Sequence, residues 1–314
     1  MALQSIEEAC RIACASIGVD YQSVPADGKF HLADLTHDHK GKNDARIKIF
    51  PDRQGGIVCN WKTNEQQSFF VNNHRESREA ITPAERERIQ AEQQRRHVEQ
   101  QVRQGKAAHK AAAIWQAAKP APEDHPYLIR KQVKPHGLRV GTWKRSVKDN
   151  QGRYHPLIIE NTLLVPMFDQ TGAIRSLQAI FPEKNPVLDR DKDFLPGGGR
   201  GGLFGWIGPR TDRLLICEGF ATAATLHEES GYRLYIAFAA NNLLAVGLIV
   251  REKRPDAEIV FCADNDTQTP GNPGLTKATE AAQAVGGSVA VPPMAGDFND
   301  YAVYLKGLDN DSEG

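Results

Sequence analysis

From Arg213 onward the chain repeats one unit. A short, continuously apolar run is followed by a stretch of helix length, and then the pattern starts again. Leu214–Cys217 leads to Ala221–Glu229, Leu234–Phe238 to Leu243–Lys253, Glu258–Cys262 to Leu275–Val285, and Ser288–Val291 to Asn299–Leu305. Strands that are apolar at every position, rather than at every second one, are buried on both faces. A parallel sheet between helices requires that burial.

The residues just after each run matter more than the run itself. In an open α/β sheet the working groups stand at the carboxyl ends of the strands. Here Leu214–Cys217 delivers Glu218-Gly219, Ile259–Ala263 delivers Asp264-Asn265-Asp266, and Val289–Val291 leads by a loop to Asp297-Phe298-Asn299-Asp300. One acid at such a place reads as a helix cap, and Asp297 and Asn299 partly fit that reading. Acids at three strand ends are harder to explain as capping. Carboxylates that close repel and raise one another's pKa, and a divalent cation removes the conflict. Hard oxygen ligands suit Mg²⁺ or Mn²⁺. Asp264 and Asp266, two apart, reach one metal if the loop turns there, and Gly219 permits close backbone approach beside Glu218. Asn272-Pro273-Gly274 opens a helix whose N-terminus suits phosphate, with Lys277 in its first turn.

The rest of the chain divides by composition. Residues 1–75 form a small α+β module: a predicted helix over 3–17, then strand-like runs at Lys29–Leu35, Arg46–Phe50, Gly56–Trp61 and Ser68–Val71. Residues 76–120 are a long basic connecting helix. Thr82-Pro83-Ala84-Glu85 combines an N-cap, Pro at the first helical position and a closing Glu, and the next Pro is Pro120. If continuous, that stretch spans roughly 55 Å. Residues 121–210 are an α+β subdomain with strands near Thr162–Phe168 and Ala173–Ile180 and the glycine cluster Gly197–Gly202. Residues 211–314 are the parallel α/β domain.

Lys plus Arg and Asp plus Glu are equal in number, so the formal net charge is zero. That total argues against a nucleic-acid binder until it is read by position. Residues 74–148 carry +9 and residues 256–314 carry −8. A polyanion-binding surface beside a cation-binding one produces this asymmetry, as does a solvated basic helix with an acidic tail. The five cysteines include no C-x-x-C pair, which argues for a reducing compartment rather than a disulfide framework. Cys10 and Cys14 would need Cys59 with His31, His37 or His39 to complete a zinc site; the paired spacing is missing, and no structural zinc is expected. The first residues do not read as a signal peptide and no run is long enough to span a bilayer, so a cytoplasmic location without a membrane partner is expected.

Glu218-Gly219 and Asp264-x-Asp266 at strand ends resemble the Toprim domain of DnaG-type primases, topoisomerases and some nucleases. ICEGFATAATLHE is similar to the E-G-Y/F-A-T-A form found in plasmid and satellite-phage primases. The segments LLVPMFDQTGAIRSLQAIFPEK, KDFLPGGGRGGLFGWIG, DHPYLIRKQV and DGKFHLADL…NWKT are similar to those primases as well, so the resemblance runs from about Asp27 to Tyr301. It implies a primase that makes short RNA primers on single-stranded DNA from NTPs by two-metal chemistry in plasmid, phage or mobile-element replication, with a replicative helicase in trans. It makes Glu218, Asp264 and Asp266 catalytic and metal-binding, with Asp297 as a further ligand and Asp300 in the same later motif. Lys192 falls where DnaG-type enzymes keep a basic residue, and Arg175, Arg200 and Lys277 become nucleotide or strand contacts. Trp143, Trp61 and Phe194 are candidates for base stacking.

The sequence departs from that pattern at Ala239-Ala240-Asn241-Asn242-Leu243, where the subgroup has Asp-Ala-Gly-Asn-Leu. It also lacks a zinc ribbon and a P-loop. A metal-dependent Toprim nuclease, using water as nucleophile, and a non-catalytic single-strand-binding replication protein are the alternatives.

Overall fold

The computed structural model describes residues 5–36, 43–63, 65–71, 83–149, 151–269 and 271–312. It forms two compact units, Met1–Ala91 and Glu92–Gly314. The predicted cap at Thr82 and the candidate ligands His37 and His39 lie outside the described residues.

In the first unit, helix α1 (Ile6–Ser16) starts at Ser5, whose hydroxyl accepts the Glu8 N–H at 3.1 Å. It presents Ile6, Ala9, Cys10, Ala13 and Cys14 to an antiparallel sheet of β1 (His31–Ala33), β2 (Ala45–Ile49), β3 (Gly55–Asn60) and β4 (Glu65–Phe70), in that spatial order. Alternation on β2 sends Ala45, Ile47 and Ile49 into this core, where Val58 and Phe69 join them. Cys10 and Cys14 are buried in that core, whereas Cys59 pairs in register with Arg46 on the opposite face. The three thiols therefore do not converge.

Helix α2 (Pro83–Ala117) ends in an Ala-rich stretch. In the second unit, Ala107 and Ala111 pack on Trp143, Leu164, Leu177 and Phe181. Those residues belong to an antiparallel sheet ordered β5 (Lys119–Pro120), β6 (Arg139–Lys148), β7 (Tyr154–Phe168), β8 (Ile174–Asn185) and β9 (Arg190–Phe194). Helix α3 (Pro126–Lys131) lies between β5 and β6 in the chain.

The second sheet of this unit is ordered β10 (Gly205–Ile207), β12 (Arg233–Ile236), β11 (Arg213–Cys217), β13 (Glu258–Cys262) and β14 (Ser288–Ala290). Strands β11 to β14 run parallel, as their apolar runs predict, and β10 adds an antiparallel edge. Helices α4 (Phe220–Ser230), α5 (Leu243–Lys253), α6 (Pro273–Val285) and α7 (Phe298–Ser312) cover the two faces. Leu215 and Cys217 face α4, while Leu214 and Ile216 face α5 and α6. Gly231 and Gly286, both left-handed, terminate α4 and α6.

Strand β12 stops at Ile236, because Phe238 takes a left-handed conformation at φ 66°. Helix α7 runs to Ser312 instead of Leu305. Trp143 is not a base-stacking surface: it is buried, and its indole N–H donates to Asp193 Oδ2 at 2.9 Å.

Candidate active site

Strand order determines what the carboxylates meet. Because β11, β13 and β14 are neighbours, Glu218, Asp264 and the loop bearing Asp297 emerge side by side at one edge. The Cys217–Cys262 register places Glu218 one residue, and Asp264 two residues, beyond a directly paired position.

Glu218 and Asp264 are half-buried, yet one oxygen of each, Glu218 Oε1 and Asp264 Oδ1, is shut off from solvent without a hydrogen-bond partner. Burial pushes the Glu218 carboxyl up to about 8, with the charges of Asp264 and Asp266 adding to the rise and a hydrogen bond from the Ala240 backbone opposing it. Burial, followed by Asp297 and Asp266, raises Asp264 to about 7, and Lys192 pulls the other way. These groups therefore feel one another electrostatically across three strand ends. An unpartnered buried carboxylate oxygen carries a desolvation penalty. A hard cation offsets that penalty, so the donor set fits a divalent ion. Among the described residues, no three His, Cys, Asp or Glu side chains are already gathered tightly enough to hold an ion.

Gly274 in the first turn of α6 completes the pocket wall. A Cβ built there would stand 2.9 Å from the Asp264 carbonyl and 3.3 Å from Glu218 Oε1, so only glycine lets the helix approach both acids. Asp266 is held by its backbone, whose N–H donates to Asn272 Oδ1 at 3.0 Å, and Asn272 in turn donates to Asn265 Oδ1 at 3.1 Å.

Asp297 and Asp300 form a reciprocal cap on α7. The Asp300 N–H donates to Asp297 Oδ1 at 2.8 Å, and the Asp297 N–H donates to Asp300 Oδ2 at 3.3 Å. Asp300 also pairs with Lys131 at 3.0 Å. Burial alone would raise its carboxyl, but the Lys131 bond and the Asp297 N–H outweigh it and hold the carboxyl below the usual range. Lys192, on β9 of the antiparallel sheet, reaches both Asp264 and Asp300 with its charge.

A cavity of about 620 Å³ is lined by Arg103, Arg175, Arg200, the Gly198–Gly201 turn, Phe238 and Ala239, and not by the acids themselves. Arg175 lies 3.6 Å from Asp169, and Arg200 covers the Phe194 ring at 5.0 Å. Phe194 meets Phe238 edge-on with ring centres 6.4 Å apart, so its ring is engaged from within the protein. Lys277 forms an ion pair with Glu280 on its own helix at 2.8 Å. Sequence reasoning missed Arg103 and Asn242. Arg103 sits in a long polar helix with nothing to distinguish it from its neighbours. Asn242, in contrast, stood in view as the residue retained from the Asp-Ala-Gly-Asn-Leu pattern.

A parallel sheet with acids at successive strand ends, a glycine after the first and Asp-x-Asp after another defines a Toprim domain. Residues 213–305 match the family model described as Toprim domain. Across 88% of its length it is 31% identical, over 289 residues, to a DNA primase TraC of Escherichia coli, covering 25% of that protein. A second DNA primase TraC of Escherichia coli is 28% identical over 299 residues, 91% of this chain and 19% of that one. The chain thus spans a quarter or less of the length of the curated relatives it matches. Among solved structures, a DnaG primase catalytic domain bound to ssDNA matches with TM-score 0.43 and 13% identity, over 66% of this chain and 78% of that one. The zinc-binding and RNA polymerase domains of the Aquifex aeolicus primase match with TM-score 0.42 and 11% identity, over 100% and 85%.

Proposed function

We propose that the chain is the catalytic part of a DNA primase, joining ribonucleotides into short RNA primers on single-stranded DNA in plasmid, phage or mobile-element replication. The observation that carries this reading is the pair of solvent-shut, unpartnered oxygens on Glu218 and Asp264 at neighbouring strand ends. The similarity to proteins named DNA primase supports it.

In this reading Glu218, Asp264 and Asp266 hold Mg²⁺ or Mn²⁺, with Asp297 as a further ligand. Bound there, such cations lower the pKa of the attacking 3′-hydroxyl and neutralise charge on the departing pyrophosphate. The protein's own groups do the rest. Lys192 offsets the carboxylate charge and approaches the triphosphate. Arg103, Arg175 and Arg200 take up phosphates in their cavity, and Gly274 keeps the α6 terminus close enough to exclude water. Template, NTPs and a replicative helicase acting in trans are the proposed partners. Among the described residues no helix is long and apolar enough to cross a membrane.

The test is primer synthesis from labelled NTPs on single-stranded DNA with Mg²⁺ or Mn²⁺. Wild type is expected to make short RNA, and Asp264→Ala with Asp266→Ala to make none. An inactive wild type, or an active double variant, overturns the reading. Metal-dependent DNA cleavage without NTPs would identify a nuclease built on the same carboxylates.

A further inference from the structure

The four-stranded sheet of the first unit has one face filled by α1. Among the described residues of this unit no helix covers its other face, whose composition is unusual for a solvated surface. The strand register puts Leu32, Arg46, Cys59 and Gln66 in one row, and Lys48, Ile57 and Ser68 in the next. Trp61 continues the first end of this face beside Asp44, whose carbonyl accepts the Trp61 N–H at 2.9 Å. Phe70 closes the other end, lying over Gly55. Large apolar groups here are exposed instead of buried: Trp61 is 63% exposed, Leu32 51%, Phe30 50% and Phe70 47%.

Cations sit among these rings. Arg46 lies over Trp61 at 4.1 Å, and Lys48 over Phe30 at 5.3 Å and Phe50 at 5.7 Å. Arg46 and Lys48 are two residues apart on β2, so they project from the same face about 6.6 Å apart. Asp44 lies 3.6 Å from Lys62 and feels the charges of both Arg46 and Asp34, so among the described residues this face carries carboxylates as well as cations.

We propose that this face binds single-stranded DNA. Bases would stack on Phe30, Trp61 and Phe70, and Arg46 and Lys48 would take the phosphates between them. Charge and shape together select this ligand. Rings exposed on a flat sheet and interleaved with cations match a chain that alternates aromatic faces with anions. An apolar protein partner would desolvate both cations and supply no counter-charge of its own. The choice of DNA over RNA rests on the DNA template of the proposed primase reaction.

The full chain is to be mixed with oligo(dT) carrying 5-bromodeoxyuridine, in EDTA and without NTPs, and cross-linked by light. Cross-linked peptides are expected to contain Phe30, Trp61 or Phe70. In anisotropy titrations, Arg46→Glu with Lys48→Glu should weaken oligo(dT) binding about tenfold at low salt. Phe30→Ala with Trp61→Ala should weaken it about fivefold or more. The circular dichroism melt of each variant reports folding, and the cross-link on wild type needs no variant. Cross-links confined to other residues, unchanged affinity in both folded variants, or binding of oligo(rU) in place of oligo(dT) overturns the proposal. Primer synthesis is a separate readout: its failure with cross-links intact on this face would strike the catalytic reading alone.

Discussion

The Asn242 amide clasps Gly202. Its Oδ1 accepts the Gly202 N–H at 2.8 Å, while its Nδ2 donates to the Leu203 carbonyl at 2.9 Å and the Ala237 carbonyl at 2.8 Å. One buried side chain thereby ties the end of the glycine cluster to the end of β12, and with it the arginine-lined cavity to the Toprim sheet. Asn242→Ala leaves the Gly202 N–H and two carbonyls without these bonds and should cost about 1–3 kcal/mol of stability. Urea unfolding monitored by circular dichroism checks the figure.

The two raised carboxyls make stability depend on pH with a definite sign. Glu218 and Asp264 titrate near 8 and near 7 when folded, against 4.5 and 3.8 as ordinary groups. Between those limits the folded state binds more protons than the unfolded state, so stability falls as pH rises. Without divalent cations, the melting temperature should be higher at pH 5 than at pH 8. Glu218→Gln should flatten the dependence. Thermal scans in EDTA across that range test it, and a Glu218→Gln protein with an unchanged slope would remove the assignment.

At Gly274 the constraint is steric. A methyl group there meets the Asp264 carbonyl at 2.9 Å, which backbone can relieve only by moving. Gly274→Ala should lose about 1–3 kcal/mol of stability and most of the primer synthesis, because the displaced helix start carries the wall against Glu218. Paired melting and activity assays check both halves.

Trp143 separates structural from binding roles. Trp143→Phe removes the N–H that Asp193 accepts, although Arg145 at 3.2 Å and Arg190 at 2.8 Å remain beside that carboxylate. Stability should fall by about 1 kcal/mol, with affinity for single-stranded DNA unchanged in an anisotropy titration.

The cavity arginines should appear in the salt dependence. If Arg103, Arg175 and Arg200 each neutralise a phosphate, changing any one to Ala should lower the slope of log affinity against log salt by about 1, nearly independent of base sequence. Titrations at several salt concentrations measure it.

Burial decides how much of this fold is legible in the sequence. Strands β11 and β13 read as unbroken apolar runs because both their faces are covered, and the acids that end them stand out against that background. Helix α5 and strand β13 have the predicted bounds for the same reason. The antiparallel sheet is harder to see. Strand β6, RVGTWKRSVK, has one face in solvent and a register shift between Gly141 and Trp143, so its alternation breaks midway. Strand β9, RDKDF, is charged at four of five positions, and nothing local marks it as a strand; pairing with β8 decides it. Asn242 illustrates the same limit at the site. Two of its three partners, Gly202 and Leu203, lie about 40 residues away, so the pattern around Asn242 marks the residue but not what its amide holds.

One small pairing has mechanical consequences. Phe168, at the end of β7, and Phe204, just before β10, exchange both backbone hydrogen bonds, at 2.8 and 3.0 Å. The antiparallel sheet and the parallel sheet are thus stitched together where the chain passes between them. Lys192 hangs from one and Glu218 and Asp264 from the other, so this seam lies in the path that sets the distance between ammonium and carboxylates. In the proposed primase reaction, a template would meet an ammonium and carboxylates carried by two sheets that this pair of backbone hydrogen bonds ties together.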